Sequence, residues 1–156
     1  MMTDLKILTI KNSWSYIIFN PEEVSLLFYT KLFELDPSLQ LLFKGKTEEQ
    51  GKKLMSILTM FIAKLQKLPD IETQIKALGQ RHIKYGVQVE HYHVAGKALL
   101  WTLEKVLGSR WNQEVSDAWE EVYSMIISTM LEGVNTDTES QVVHFNNVKT
   151  ETASKL

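Results

Sequence analysis

Residues 115–130, VSDAWEEVYSMIISTM, decide the fold class. Val115, Ala118, Trp119, Val122, Met125, Ile126, Thr129 and Met130 step by three and four, which gathers side chains on one face of an α-helix. Working back along the chain, Tyr92, Gly96, Leu99, Leu100, Leu103, Val106 and Leu107 repeat the pattern. Gln50, Leu54, Ile57, Leu58, Phe61 and Leu65 make a third stripe, and Ile75, Leu78 and His82 a fourth. No stretch alternates apolar and polar residues long enough for a convincing strand. The expectation is an all-α chain with helices near 4–18, 21–35, 47–67, 70–84, 89–107 and 112–132, and a short turn around 37–42.

The few prolines and glycines punctuate these stripes. Pro21 opens a helix with Glu22 and Glu23 in its first turn, where negative charge suits the helix dipole. Pro37 follows Asp36 and stops that helix, Pro69 divides the next two, and Gly108 and Gly133 stand at C-terminal positions. The 156 residues suit one domain, expected over 1–134, and an apolar content of 44% can fill its core. Residues 135–156 are rich in Thr, Ser, Asn and charge and are expected to form a flexible polar tail. Its one apolar patch is Val142-Val143-His144-Phe145.

Composition removes several functions. A net charge of −2 gives no electrostatic case for nucleic acid or an acidic membrane as the partner. The absence of Cys excludes disulfides, cysteine-held zinc or iron–sulfur sites and thiol catalysis, so a metal would rest on His, on carboxylates or inside a cofactor. Apolar runs reach only about four residues, against the roughly 20 of a membrane span. The first residues do not resemble a signal peptide, and a cytoplasmic location is expected.

Two polar residues interrupt the apolar stripes. Gln50 lies four residues before Leu54, and His82 lies in line with Leu78 and Ile75. Burying either costs roughly 1–3 kcal/mol without a partner. Alone, each has an ordinary reading as a wetted or hydrogen-bonded residue. Together they sit on successive helices separated by Leu68-Pro69-Asp70, so their stripes can face each other across a gap. An imidazole on one wall and an amide on the other suit a flat metal macrocycle. The residues alone leave both readings open.

A family resemblance sharpens the choice. Trp14, Leu27-Phe28-Tyr29, Asp36-Pro37, Leu42-Phe43, Gln50, Leu54, 79–87 (GQRHIKYGV), His91-Tyr92, Val94-Ala95-Gly96 and Leu99-Leu100 resemble a globin in order and spacing. The likeness runs from about Leu5 to Gly133. It is similar to bacterial single-domain globins, the type that includes Hell's Gate globin, to the globin half of flavohaemoglobins and, more distantly, to neuroglobin. The resemblance implies haem b (iron protoporphyrin IX) as cofactor, with His82 as proximal ligand to the haem iron. It implies Phe43 stacked on the porphyrin, Gln50 and Tyr29 as distal hydrogen-bond donors, and Leu54 as the aliphatic residue beyond Gln50. Tyr92 matches a tyrosine that, in flavohaemoglobins, joins a glutamate to polarise the proximal His. This chain departs there: the glutamate position falls on Val134, and Glu132 lies two residues earlier on another helix face.

Other candidates are less specific. Lys53 could reach a haem propionate or simply be solvated, and Arg81 and Lys84 raise the same choice. His91 and His93 lie roughly 200° apart around a helix, unsuited to one metal, and read as solvated first-turn residues. His144 would reach the site only if the tail folded back. The resemblance implies reversible binding of oxygen, nitric oxide and carbon monoxide. The alternative is a nitric oxide dioxygenase, with Tyr29 and Gln50 stabilising the distal ligand and a separate reductase in trans. A gas sensor ranks third.

Overall fold

The computed structural model describes residues 2–135, the side chain of Asn135 excepted. The expected tail and its His144 lie outside the described residues. The described residues form six α-helices: α1 (Asp4–Ile17), α2 (Pro21–Leu35), α3 (Thr47–Ala63), α4 (Glu72–Lys84), α5 (Val89–Leu107) and α6 (Gln113–Asn135). Short 3-10 turns cover Pro37–Leu42, Leu65–Ile71 and Gly108–Arg110. Among the described residues there is no strand, and no helix is long and apolar enough to cross a membrane.

Local chemistry explains the boundaries. Thr3 caps α1 by accepting from the Lys6 N–H, and Asn20 caps α2 by accepting from the Glu23 N–H ahead of Pro21. Asp36 then accepts from the Ser38 N–H and turns the chain into the Pro37 corner. The helix expected over 47–67 stops at Ala63 instead. Pro69 lacks an N–H, and its ring would strike the Leu65 carbonyl in an α-helix. The chain tightens into the 3-10 turn, with Lys67 at φ −131°, ψ 47°. At the start of α5, Gln88 and His91 exchange side-chain and backbone bonds as a capping box, the Gln88 N–H donating to His91 Nδ1 at 3.0 Å. His91 is therefore a half-buried cap, where a merely solvated residue was expected.

Small residues set how the helices meet. Ser25 on α2 touches Gly51 on α3, where an added Cβ would lie 2.5 Å from Ser25 Oγ. α4 and α6 meet backbone to backbone: a Cβ on Gly79 would lie 2.2 Å from the Met130 carbonyl oxygen, and one on Gly133 would lie 2.6 Å from that of Lys76. Trp14 and Trp119 join α1 to α6 at 5.9 Å between ring centroids, and the buried Trp119 indole N–H donates to Ser13 Oγ. Two apolar cores result. The larger spans α1, α2, α3, α5 and α6, and the smaller packs α4 against Phe61, Val89, Tyr92 and Met130. Leu68 and Ile126 touch both.

Candidate functional site

His82 lies in the last turn of α4, half-buried, with Nδ1 2.8 Å from the Leu78 carbonyl oxygen. A carbonyl can only accept, so Nδ1 carries the hydrogen and Nε2 keeps its lone pair. Burial lowers the His82 pKa from its ordinary 6.5, the Leu78 bond opposes this, and the Arg81 charge lowers it further. The ring is thus neutral near pH 7, oriented from behind, and able to ligate through Nε2. Tyr92 of α5 stacks on it at 6.2 Å and 26°, and Tyr85 tilts against it at 6.0 Å. Gly86 turns the chain just beyond, at φ +93°, and brings this end of α4 against Leu42.

Tyr92 is buried, and among the described residues its hydroxyl has no hydrogen-bond partner. Burial pushes its pKa well up, so it stays a neutral phenol. Glu132 is exposed and Val134 is buried. The residue that positions Tyr92 is Tyr123 on α6, whose hydroxyl donates to the Tyr92 carbonyl. Sequence reading did not single out Tyr123, because it sits just off the main α6 stripe. Its one signal is Gly96, four residues after Tyr92, where a Cβ would lie 2.8 Å from Tyr123 Cε2.

Tyr29, Phe43, Gln50 and Leu54 form the second group. Tyr29 meets Phe43 edge-on at 5.3 Å and Phe33 in a stack at 5.9 Å, and Phe33 and Phe43 meet at 5.5 Å. The Tyr29 hydroxyl donates to the Gln50 backbone carbonyl at 3.3 Å. Its pKa is pushed up to about 12 by burial. The Gln50 side chain turns elsewhere and donates to the Lys44 carbonyl at 3.2 Å. Leu54 and Phe43 are half-buried against the larger core. Lys53, Arg81 and Lys84 are exposed and join no ion pair among the described residues.

The donor set decides what could be held. Among the described residues no three His, Asp or Glu side chains gather as a cage for a bare ion. A macrocycle that brings four nitrogen ligands of its own needs only one more, and His82 Nε2 is free to supply it. The orphaned Tyr92 hydroxyl beside that imidazole fits a site still lacking a polar neighbour.

Comparison with known proteins identifies the family and the fold. The globin family model matches residues 26–130. A globin-like protein of Aquifex aeolicus is 29% identical over 131 residues, covering 84% of this chain and 93% of its own. An anaerobic nitrite reductase of Casuarina glauca is 33% identical over 133 residues (76% of this chain, 83% of its own). Neuroglobin of Danio rerio is 28% identical over 138 residues (80% and 87%). Among solved structures, the engineered carbene transferase RmaNOD from Rhodothermus marinus superposes with a TM-score of 0.75 at 23% identity, over 92% of this chain and 97% of that one. The chain belongs to the globin family. Its fold is the globin fold, and membership implies haem binding.

Proposed function

We propose that this globin holds haem b on His82 and reversibly binds oxygen, nitric oxide or carbon monoxide. The observation that carries the reading is the bond from His82 Nδ1 to the Leu78 carbonyl, which leaves Nε2 unprotonated for a metal. When bound, the haem supplies an iron with a coordination position for a diatomic gas. Phe43 and Leu54 offer apolar contact to the ring, Lys53 a cation for one of its carboxylates, and Tyr92 a face against the imidazole. Tyr29 is a protonated donor near pH 7, as any phenol is, and burial pushes its pKa further up to about 12. Its present bond to Gln50 is long for a hydroxyl donor, and an acceptor bearing negative charge would compete well for it. Gln50 becomes a second donor on release of the Lys44 carbonyl.

Replacing His82 by Ala should abolish stable haem incorporation. An unchanged Soret band and haem stoichiometry would remove His82 from the role. In the unaltered ferrous protein, carbon monoxide should shift the Soret band sharply, and a spectrum indifferent to the gas would overturn gas binding.

A second reading is nitric oxide dioxygenation, in which nitric oxide, oxygen and one electron give nitrate. RmaNOD is named for that activity, and the Tyr29–Gln50–Leu54 set favours it. A separate reductase would supply the electron. The Tyr92 hydroxyl, unpartnered among the described residues, and the exposed Glu132 favour the reversible carrier, because none of the described carboxylates draws on the proximal imidazole through it. Stopped-flow mixing of the oxygenated protein with nitric oxide and a cycling reductase separates the two. Sustained nitrate production supports the enzyme, and a single stoichiometric burst the carrier.

A further inference from the structure

Both rings that flank His82 hang from one short connector. Tyr85, tilted against the imidazole, is the C-cap of α4, and Tyr92, stacked on it, is the fourth residue of α5. Only residues 85–88 separate the two helices. Two motifs fix that connector, one at each end. At the near end, the Gly86 N–H donates to the Ile83 carbonyl and the Val87 N–H to the carbonyl of His82 itself, at 3.0 and 2.9 Å. With Gly86 at φ +93°, these are the paired bonds of a Schellman motif. At the far end, the Gln88 N–H donates to His91 Nδ1 at 3.0 Å, and the Gln88 side chain accepts from the His91 N–H. Val87 closes one motif and Gln88 opens the next, so the connector has no slack.

We propose that His91 is a positioning residue for the proximal site: its bond to Gln88 fixes the start of α5, and with it the Tyr92 ring, over His82. The inference rests on the reading of His82 as the haem ligand. Among the described residues the Tyr92 hydroxyl bonds to nothing, so no side-chain bond sets the angle of its ring. That angle is left to packing and to the backbone that carries the ring. Tyr123 holds the Tyr92 carbonyl, and His91 holds the turn before it. Without the Nδ1 acceptor the Gln88 N–H loses its partner, the first turn of α5 frays, and the ring drifts off the imidazole. Nδ1 of His91 thus acts on His82 through one backbone turn and one stacked ring.

The test begins with the haem-free protein. A scalar coupling between the Gln88 amide nitrogen and His91 Nδ1 should report their bond directly in solution. His91→Leu keeps bulk and removes the acceptor. It should speed Gln88 amide exchange several-fold and shift the His82 ring protons as the Tyr92 ring current moves away. His91→Gln supplies the acceptor usual in a capping box and should restore both. Gln88→Ala, at an exposed position, removes the other half of the box and should shift the His82 protons the same way. In the haem-loaded protein the iron–imidazole stretching band should move in His91→Leu and return in His91→Gln. Absence of the coupling overturns the bond. Faster Gln88 exchange with unmoved His82 protons leaves His91 a helix cap and overturns the positioning role, as does a His91→Gln variant that behaves like His91→Leu. Should His91→Leu not fold, Gln88→Ala decides: His82 protons unmoved in it overturn the role. If the unaltered protein takes up no haem, the reading of His82 falls, and the haem-free measurements still decide whether His91 sets Tyr92.

Discussion

A buried hydroxyl without a partner costs roughly 1–3 kcal/mol, and Tyr92 carries one beside His82. Its ring packs in the smaller core, its carbonyl is held by Tyr123, and only the oxygen is unsatisfied. Tyr92→Phe keeps the ring and deletes that oxygen. In the haem-free protein it should therefore leave stability unchanged or raise it by about 1 kcal/mol in urea unfolding, where deletion of a satisfied hydroxyl would lower it. A loss of 1 kcal/mol or more would show that the hydroxyl has a partner. His82 was legible in the sequence because an imidazole on an apolar stripe is conspicuous. The environment of Tyr92 was legible only in part, since its neighbour Tyr123 comes from a helix 31 residues away. Gln50 was legible as a position, but its side-chain direction depends on a loop carbonyl six residues earlier, which no helical pattern encodes.

Among the elements, α4 and α6 are the pair most dependent on residues that look unremarkable in the sequence. Gly79 has no special backbone angle, yet the Met130 carbonyl occupies the space its Cβ would need. Gly79→Ala must push α4 off α6, and because His82 and Leu78 sit on α4, the whole proximal wall moves with it. Overpacking of this kind typically costs 1–3 kcal/mol, and backbone on the opposing side leaves little room to relax, so a loss of about 2–3 kcal/mol is expected in urea. Haem retention should fall in parallel, and a variant of unchanged stability would refute the close approach. The helical stripes themselves were readable because burial imposes their period, as the observed α5 and α6 show. The end of α3 was misplaced because an apolar stripe continues through Leu65, whereas the ring of Pro69 acts on backbone several residues upstream.

At the scale of the whole molecule, three buried phenols link stability to alkaline pH. Tyr29, Tyr92 and Tyr123 all have pKa values raised by burial above the ordinary 10.0, Tyr29 to about 12, with the nearby Tyr92 adding to the effect on Tyr123. In the unfolded chain each loses its proton near pH 10, while in the folded chain each keeps it. Between pH 10 and 12 the unfolded state therefore binds fewer protons, and stability falls as pH rises. Below pH 10 both states are protonated, and the three groups contribute no slope. Each buried phenol adds up to about 1.4 kcal/mol of lost stability per pH unit within that window. Lysine titration overlaps it, so the contribution of one phenol is read by difference. Tyr29→Phe should flatten the slope by up to about 1.4 kcal/mol per pH unit between pH 10 and 12 and leave it unchanged between pH 7 and 9. Urea unfolding of both proteins across that range measures this, with absorbance at the phenolate band reporting ionisation. Parallel slopes above pH 10 would mean that Tyr29 ionises in the fold as it does in water. Its hydroxyl would still be neutral near pH 7, so that outcome bears on the burial of Tyr29 and leaves its proposed role toward a bound gas standing.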